Sequence, residues 1–229
     1  MYDLVVPNNN EKEFLEKAKA LGISNLIFLY PVKNVDEIRN KKQFGVKIGL
    51  LFLPKTVGEA KKINEKLYLE VDLIAATSQD EAVTRALCEN PMVDIVFGVA
   101  TSFGKDALDY RRAGINAIVA NLIKENKQSY AVSFVNILNE IGVKRAKLLG
   151  REMQNIQLLR RKVPLIIASF AKKPEEMRLA ENLGAFLRIL GANYPQSKAA
   201  TASVIESIIT RKELRKSKWF VMQGVRLVE

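Results

Sequence analysis

The chain alternates short apolar runs with amphipathic segments through its first hundred positions. The apolar runs lie at residues 1–6, 25–30, 47–54, 67–77 and 93–99. Apolar residues recur at helical spacing between them, at 11–21, 56–66 and 78–89. Runs that are apolar on both alternating faces are typical of parallel strands covered by helices, so the pattern predicts a βα repeat. Five strands in so short a stretch favour a barrel over an open sheet.

The second half continues the repeat and then becomes helical. Residues 114–126 fit either a strand or a helix, and residues 129–138 have the β-branched and aromatic content of a strand. We take the first as a helix because two adjacent parallel strands need a crossover between them. Residues 164–171 form the clearest later strand. The sequence thus predicts about seven strands in one α/β barrel domain over residues 1–229.

The amino-acid composition excludes several kinds of chemistry. The 229 residues are 48% apolar and 27% charged, which is the balance of a folded protein, and none is histidine. Catalytic triads with histidine, imidazole acid–base catalysis and histidine-ligated metals are therefore absent. Cys88 is alone, so neither an intrachain disulfide nor a cysteine metal cluster can form. Metal-dependent hydrolytic barrels are thereby disfavoured.

The sequence also indicates where in the cell the protein is located. The first residues lack the basic start and apolar run of a signal peptide, and no stretch approaches the length of a membrane span. A lone cysteine fits a reducing compartment. We expect a cytoplasmic protein that does not bind a membrane.

Positive charge is concentrated in two blocks. Residues 1–140 are neutral, residues 141–173 carry +8, residues 174–210 carry −1 and residues 211–229 carry +4, which together give the net charge of +11. A basic excess needed only for solubility would not be distributed in this way. The concentration indicates a polyanionic partner, because phosphate neutralisation releases counterions.

The first block contains a basic amphipathic segment at 143–162. A helical wheel places its leucines, Met153 and Ile156 on one arc and places five cations on another. These five are Lys144, Lys147, Arg151, Arg161 and Lys162. Exposed helix faces normally mix charges of both signs, whereas Glu152 is the only acid here. The segment is either an ordinary solvated face or, as we prefer, a phosphate-binding face.

The second block, 211–220, interleaves cations with Trp219 and Phe220. An aromatic ring beside cations can stack on an unpaired base, although Trp219 can equally anchor the tail on the barrel. The predicted RNA-contacting residues of both blocks are Lys144, Lys147, Arg151, Arg161, Lys162, Lys172, Lys173, Arg211, Lys212, Arg215 and Lys216.

Two further features are weak candidates for a site. The loop 98–106 has two glycines and a lysine, but it lacks the spacing of known phosphate-binding loops. Asp3, Asp72 and Asp94 can in principle bind Mg²⁺ or transfer protons, of which only Asp72 has a plausible place in its strand. The alternative for all three is a structural hydrogen bond. We predict no catalytic residue and no metal site in this chain.

The order of several segments resembles the archaeal ribonuclease P protein component 3 family, the relatives of the eukaryotic thirty-kilodalton ribonuclease P subunit. The resemblance is carried by these stretches: YDLVVP, ENPMVDIVFG, GINAIVANLIKEN, SYAVSFVNIL, RRKVPLIIASFAKKPEEMR, FLRILGANYPQSKAATAS and GVRLV. The chain departs from the family pattern at Ser133, where relatives often carry Glu, and at Phe170, where many carry Gly. The loop 101–113, with Arg111 and Arg112, does not align.

The resemblance implies a distorted TIM-like barrel of about seven parallel strands with extra C-terminal helices. It also implies a subunit of ribonuclease P, the endoribonuclease that removes the 5′ leader from precursor tRNA. In that enzyme the RNA performs the chemistry with Mg²⁺, and this chain binds no cofactor itself and is not catalytic alone. The implied partners are the ribonuclease P RNA, other ribonuclease P proteins, and a small ferredoxin-like subunit in a two-plus-two complex.

Two other functions remain open from the residues. One is a barrel enzyme acting on a small phosphorylated metabolite, which would be active without RNA. The other is a scaffold whose basic blocks bind an acidic protein. The preferred function is a subunit that binds RNA and helps it fold.

Overall fold

Seven parallel strands form the centre of the molecule. The computed structural model describes residues 1–101, 106, 111–216, 220–222 and 225–226. The seven strands are β1 (Tyr2–Val5), β2 (Asn25–Tyr30), β3 (Lys47–Phe52), β4 (Leu73–Ala76), β5 (Ile95–Phe97), β6 (Ser129–Ser133) and β7 (Leu165–Ala168). Each strand pairs in parallel with the next along the chain. The predicted number of strands is confirmed.

The residues after β7 return to β1 and nearly close the sheet into a barrel. Val5 forms a parallel bridge with Ala171, and the Val6 N–H donates to the Ala171 carbonyl at 2.8 Å. The Phe170 N–H donates to the Leu4 carbonyl, also at 2.8 Å. Closure rests on these few bonds, so the barrel is a distorted TIM-like barrel, as predicted.

Helices surround the strands and fill the C-terminal part. They are α1 (Glu11–Ala20), α2 (Val35–Lys41), α3 (Val57–Ala60), α4 (Glu65–Glu70), α5 (Glu81–Glu89), α6 (Ala117–Glu125), α7 (Phe134–Leu138), α8 (Gly142–Leu159), α9 (Ala180–Ile189), α10 (Tyr194–Ala200) and α11 (Ser203–Lys216). Short 3₁₀ helices lie at Lys42–Phe44, Val99–Thr101 and Pro174–Glu176. Near the C-terminus, β8 (Phe220–Met222) and β9 (Val225–Arg226) pair antiparallel.

Two predicted strands are wrong over half of their length. The run 67–77 is α4 followed by β4, and the run 129–138 is β6 followed by α7. The helix predicted over 56–66 is divided, because Asn64 begins a new helix by accepting a hydrogen bond from the Lys66 N–H. An unbroken apolar run carries no periodicity, so burial on all sides gives the same pattern for either element.

The interior of the barrel is closed at one end by α11. Ile205, Ile208 and Ile209 pack against the side chains that point inward from the strands. On the same helix, Arg211 donates to the Lys127 carbonyl and Lys216 donates to the Val71 carbonyl. Both carbonyls precede strands, so α11 covers the end where the strands begin. The opposite end, where the strands finish, is called the mouth below.

The three candidate aspartates have structural roles where strands begin. Asp72 accepts a hydrogen bond from the Ile48 N–H at 2.8 Å, and Asp94 accepts one from the Ile74 N–H at 2.9 Å. Asp3 accepts from the Ser169 N–H and hydroxyl, both at 2.7 Å. Each carboxylate thus joins neighbouring chain segments, which confirms the structural alternative. Asp72 precedes β4, away from the mouth where barrel enzymes place their chemistry.

Inward packing leaves no space beside Gly49, in the middle of β3. A Cβ at this position would lie 2.6 Å from Leu29 Cδ2 and 2.9 Å from Leu73 Cδ1, and both leucines are fully buried. We expect Gly49→Ala to lower the free energy of unfolding by about 1–3 kcal/mol through overpacking. Denaturant titration measures the loss. Gly58→Ala is the control, since its Cβ would meet only Thr56 Oγ1, at 4.0 Å, and an equal loss there would contradict the packing argument.

Candidate nucleic-acid interface

The basic helix α8 has the amphipathic character that the sequence predicts. Its 18 residues span about 27 Å. Leu148, Ile156 and Leu159 are buried against the barrel, while Lys144 and Lys147 are exposed. The helix therefore presents cations outward near its first two turns, close to the mouth.

Arg151 does not belong to this exposed face. It is only 6% exposed, and its guanidinium donates through Nε and Nη2 to Asp106 Oδ1, at 3.0 and 2.8 Å. The Arg151 hydrogen bond, more than any other influence, holds the pKa of Asp106 below its ordinary value. The prediction that Arg151 faces outward is wrong. A helical wheel gives the angle of a side chain but not the loop that packs across it.

A second arginine reaches α8 from the same loop. Arg111 Nη1 donates to the Gly150 carbonyl at 3.0 Å. A Cβ at Gly150 would lie 2.6 Å from that nitrogen, so only glycine permits this approach without displacing the arginine. Sequence reasoning missed the contact. The available signal was the glycine itself, which weakens the interior of an otherwise strong helix.

Arg161 and Lys162 lie beyond the end of α8, which stops at Leu159. Both are exposed on the turn that leads into β7, at the opposite end of the helix from Lys144 and Lys147. The single basic face predicted for 143–162 is therefore wrong. The chain turns after Arg160, whose Nη1 donates to the Gly191 carbonyl at 2.8 Å.

Cations of the C-terminal block lie on α11 at the closed end of the barrel. Lys212 is buried, with Nζ 3.3 Å from Asp94 Oδ2 and 4.0 Å from the ring centre of Tyr68. Burial lowers the pKa of Lys212 to about 8. Arg211, Arg215 and Lys216 donate to Lys127, Tyr68 and Val71, respectively. Trp219 lies outside the described residues, so its two alternatives stay predictions.

Four exposed lysines follow the ends of two adjacent strands, β6 and β7, at the mouth. Lys144 and Lys147 begin α8 after β6, and Lys172 and Lys173 follow β7, the adjacent strand. Within the described part of the chain, none of the four lies within salt-bridge distance of a carboxylate. We call them the mouth-end basic group.

An open cavity of about 680 Å³ lies beside this group. We call it the barrel-mouth cavity, and it is lined by Val6, Leu51, Leu53, Pro54, Lys55, Thr77, Ser78, Gln79, Asp80, Phe97, Thr101, Ser133, Val135, Asn136, Phe170 and Lys172. Most of the lining is apolar or uncharged. The cavity occupies the place where barrel proteins bind their ligands.

Ser133 and Phe170 both line this cavity. Phe170 has a φ of 49°, in the left-handed region that favours glycine. Its ring stacks on Phe97 with the centroids 4.3 Å apart. Ser133 is 2% exposed, and its hydroxyl has no hydrogen-bond partner among the described residues.

The described residues give no support to the two weaker candidates from the sequence, a phosphate-binding loop at 98–106 and a metal site. Residues 102–105 of the predicted phosphate loop lie outside the described residues, and Gly98 accepts hydrogen bonds from Thr101. The described residues contain no group of three or more carboxylate or cysteine side chains arranged to hold a metal ion. Among their helices, none has both the length and the apolar character required to cross a membrane.

The chain is similar to proteins of one family along nearly its whole length. The family model described as RNase P subunit p30 matches residues 1–217. Ribonuclease P protein component 3 of Methanosarcina mazei is 24% identical, with 96% of this chain and 90% of that protein covered. The protein of the same name from Methanosarcina acetivorans is 25% identical over 81% of this chain and 74% of its own length.

Solved structures share the fold. A chain of the cryo-EM structure of archaeal ribonuclease P with mature tRNA superposes with a TM-score of 0.79 and 19% identity, covering 100% of this chain and 98% of its own length. The crystal structure of a putative 2-pyrone-4,6-dicarboxylic acid hydrolase from Pseudomonas putida gives 0.59 and 12% identity, with 91% of this chain and 97% of that chain covered.

Proposed function

Since the chain belongs to the RNase P subunit p30 family, we infer that it is a protein subunit of ribonuclease P, the endoribonuclease that removes the 5′ leader from precursor tRNA. The match over residues 1–217 carries this inference. In the ribonucleoprotein this chain binds the RNA and helps it fold, and the RNA performs the cleavage with Mg²⁺. A barrel enzyme acting on a phosphorylated metabolite is not favoured.

The mouth-end basic group is the part of this chain that we assign to phosphate contact. Its lysines are exposed and form no ion pair within 4 Å among the described residues, so their charge is available to neutralise phosphates. Lys147 also lies close enough to Asp106 to help lower the pKa of that carboxyl. Arg161 and Lys162 offer a second exposed pair at the other end of α8. Arg151 and Lys212 are left out, because their cationic groups face Asp106 and Asp94 inside the protein.

The protein partners that we propose are those implied by the resemblance to the family. The small ferredoxin-like subunit, in a two-plus-two complex, and the other ribonuclease P proteins are the partners we propose. Reconstitution of precursor tRNA cleavage with and without this chain tests the function. We expect cleavage at physiological Mg²⁺ to depend on the chain and to be abolished when the RNA is digested. Activity that survives digestion would support the metabolite enzyme class instead.

Neutralising the mouth-end basic group tests the surface. We expect Lys144→Gln with Lys147→Gln to weaken binding of ribonuclease P RNA roughly tenfold or more at 0.1 M salt, because two phosphate contacts are lost. The slope of log affinity against log salt should fall by about 2, one for each contact. Filter binding over a salt series measures both quantities.

The matched control is Lys19→Gln with Lys62→Gln, two exposed lysines outside both basic blocks and in segments that lead into β2 and β4. It removes the same charge, so it separates a local contact from the general effect of net charge. Equal losses in both double variants would reject the mouth-end basic group as a specific surface. Circular dichroism on each variant checks that the fold is retained.

A further inference from the structure

The barrel-mouth cavity is open, and Lys172 of the mouth-end basic group is part of its lining. Isoleucines of α11 fill the opposite end of the barrel, so among the described residues the mouth is the open end. The volume of about 680 Å³ lies within the range of small-molecule sites and accommodates one nucleotide. The shape and chemistry of its walls indicate which kind of ligand fits.

The lower part of the cavity is aromatic. Phe97 and Phe170 stack with their rings 14° from parallel and 4.3 Å apart, and both line the cavity. Phe170 keeps this place although its φ of 49° is unfavourable for a residue with a side chain. Phe97 is 7% exposed and Phe170 is 1% exposed, so a flat, uncharged ring would pack against the small open part of Phe97 at the floor of the cavity.

The walls carry uncharged hydrogen-bonding groups. The buried hydroxyl of Ser133 has no partner among the described residues, which is a costly state unless a ligand or water supplies one. Thr77 and Asn136 line the same wall. A Cβ at Gly98 would lie 3.1 Å from Thr77 Oγ1 and 3.3 Å from Asn136 Nδ2, so the glycine leaves room for both side chains.

The rim carries positive charge. Lys55 and Lys172 are exposed and line the cavity, and neither forms an ion pair among the described residues. Among the described residues of the lining Asp80 is the one acid, and its Oδ1 accepts a hydrogen bond from the Val83 N–H at the start of α5. One aromatic surface, uncharged walls and two cations at the rim match a planar heterocycle that carries a phosphate.

We propose that the barrel-mouth cavity binds a single nucleotide, with its base between the phenylalanines and the wall of Ser133, Thr77 and Asn136, and with its phosphate at Lys55 and Lys172. Two sources have this chemistry, an unpaired nucleotide of the bound RNA and a free nucleotide. The RNA source rests on the proposed function and fits the usual recognition of unpaired bases by stacking and edge hydrogen bonds. The proposed binding site itself does not depend on the proposed function.

The first experiment tests the site on the full chain alone. AMP, GMP, CMP and UMP are titrated against methyl-labelled protein, and the methyl signals of Leu51, Thr77 and Val135 are followed by NMR. We expect saturable shifts for at least one nucleotide. Asn136→Leu should weaken that binding roughly tenfold, since it leaves a base edge unpaired. Asn139→Leu, an exposed change next to the same helix, should leave it unchanged.

The second experiment identifies the source in the reconstituted ribonucleoprotein. A photoreactive benzoylphenylalanine replaces Lys55 at the rim, or Lys19 on α1 as the control, and the cross-linked nucleotides of the RNA are mapped. A cross-link to one RNA nucleotide from position 55 alone supports the RNA source. Shifts with mononucleotides but no such cross-link support a free nucleotide in the same site.

Absence of both signals, in particles whose cleavage depends on this chain, would overturn the nucleotide site while the proposed function stands. If cleavage does not depend on the chain but the mononucleotide titration succeeds, the proposed function fails and the site stands. Equal binding by Asn136→Leu and wild type overturns the assigned wall. Thermal unfolding of each variant confirms that it is folded before binding is compared.

Discussion

Lys212→Met is expected to lower the free energy of unfolding by about 3–5 kcal/mol, because it leaves the buried Asp94 carboxylate without its lysine. Lys212 is 1% exposed and Asp94 is 2% exposed, so water cannot replace the lost charge. The substitution also removes the cation from the ring of Tyr68. The Ile74 N–H and the more distant Arg211 remain as partners, which sets the loss towards the lower value.

Urea titration measures this loss, and a second change separates charge from packing. Lys212→Met combined with Asp94→Asn should recover part of the stability, since no unpaired buried charge remains. Lys47→Met is the control: it breaks an exposed pair with Glu213 at 3.2 Å, next to Lys212 in sequence, and should cost less than about 1 kcal/mol. If Lys212→Met costs no more than this control, the buried pair is not a stabilising contact.

Glu152→Gln is expected to raise the free energy of unfolding by about 3 kcal/mol above pH 7. Glu152 lies on α8 inside the protein and accepts a hydrogen bond from the Tyr130 hydroxyl at 2.8 Å. Burial raises the pKa of Glu152 to about 7 from an ordinary value of 4.5. Each unit by which the pKa of a group differs between the folded and unfolded states changes the free energy of unfolding by about 1.4 kcal/mol.

The sign of this effect depends on pH. Between about pH 4.5 and 7 the unfolded chain has lost the Glu152 proton and the folded chain retains it, so the stability of the wild type falls as pH rises. Glutamine does not titrate. The stability difference between variant and wild type should therefore grow from near zero at pH 4.5 to its full value above pH 7.

Chemical denaturation at four pH values across this range measures the difference. Burial raises the pKa of Asp3 to about 7 as well, but Asp3 is present in both proteins and its effect cancels in the comparison. The exposed Glu125→Gln is the control. Stability curves of Glu152→Gln and wild type that run parallel with pH would contradict the prediction.

Much of the barrel was predictable because burial on both faces marks parallel strands without reference to tertiary contacts. The places of all seven strands follow from this pattern, although the predicted runs 67–77 and 129–138 extended into helices. The apolar face of α8 follows from helical periodicity instead. The division of 67–77 into α4 and β4 did not, since Leu67 and Leu73 are both buried and look alike in sequence. Only the cap at Asn64 distinguishes the helix.

The candidate site was less predictable, because it depends on contacts between distant segments. Composition identified the basic excess, and the exposed Lys144 and Lys172 belong to it. Composition could not distinguish these exposed lysines from the buried Arg151, whose partner Asp106 is 45 residues away in sequence. The barrel-mouth cavity was missed altogether, since Phe97 and Phe170 meet only when the barrel closes.

The closure of the barrel has a consequence for how the protein is made. Asp3 and Leu4 bond to Ser169 and Phe170, and the Tyr2 N–H donates to the carbonyl of Thr201. The first strand therefore leaves the ribosome with its edge unpaired until about 170 further residues have been synthesised. Pauses in translation before residue 171 would prolong that exposure, whereas a chaperone bound to the nascent first strand would cover the edge meanwhile.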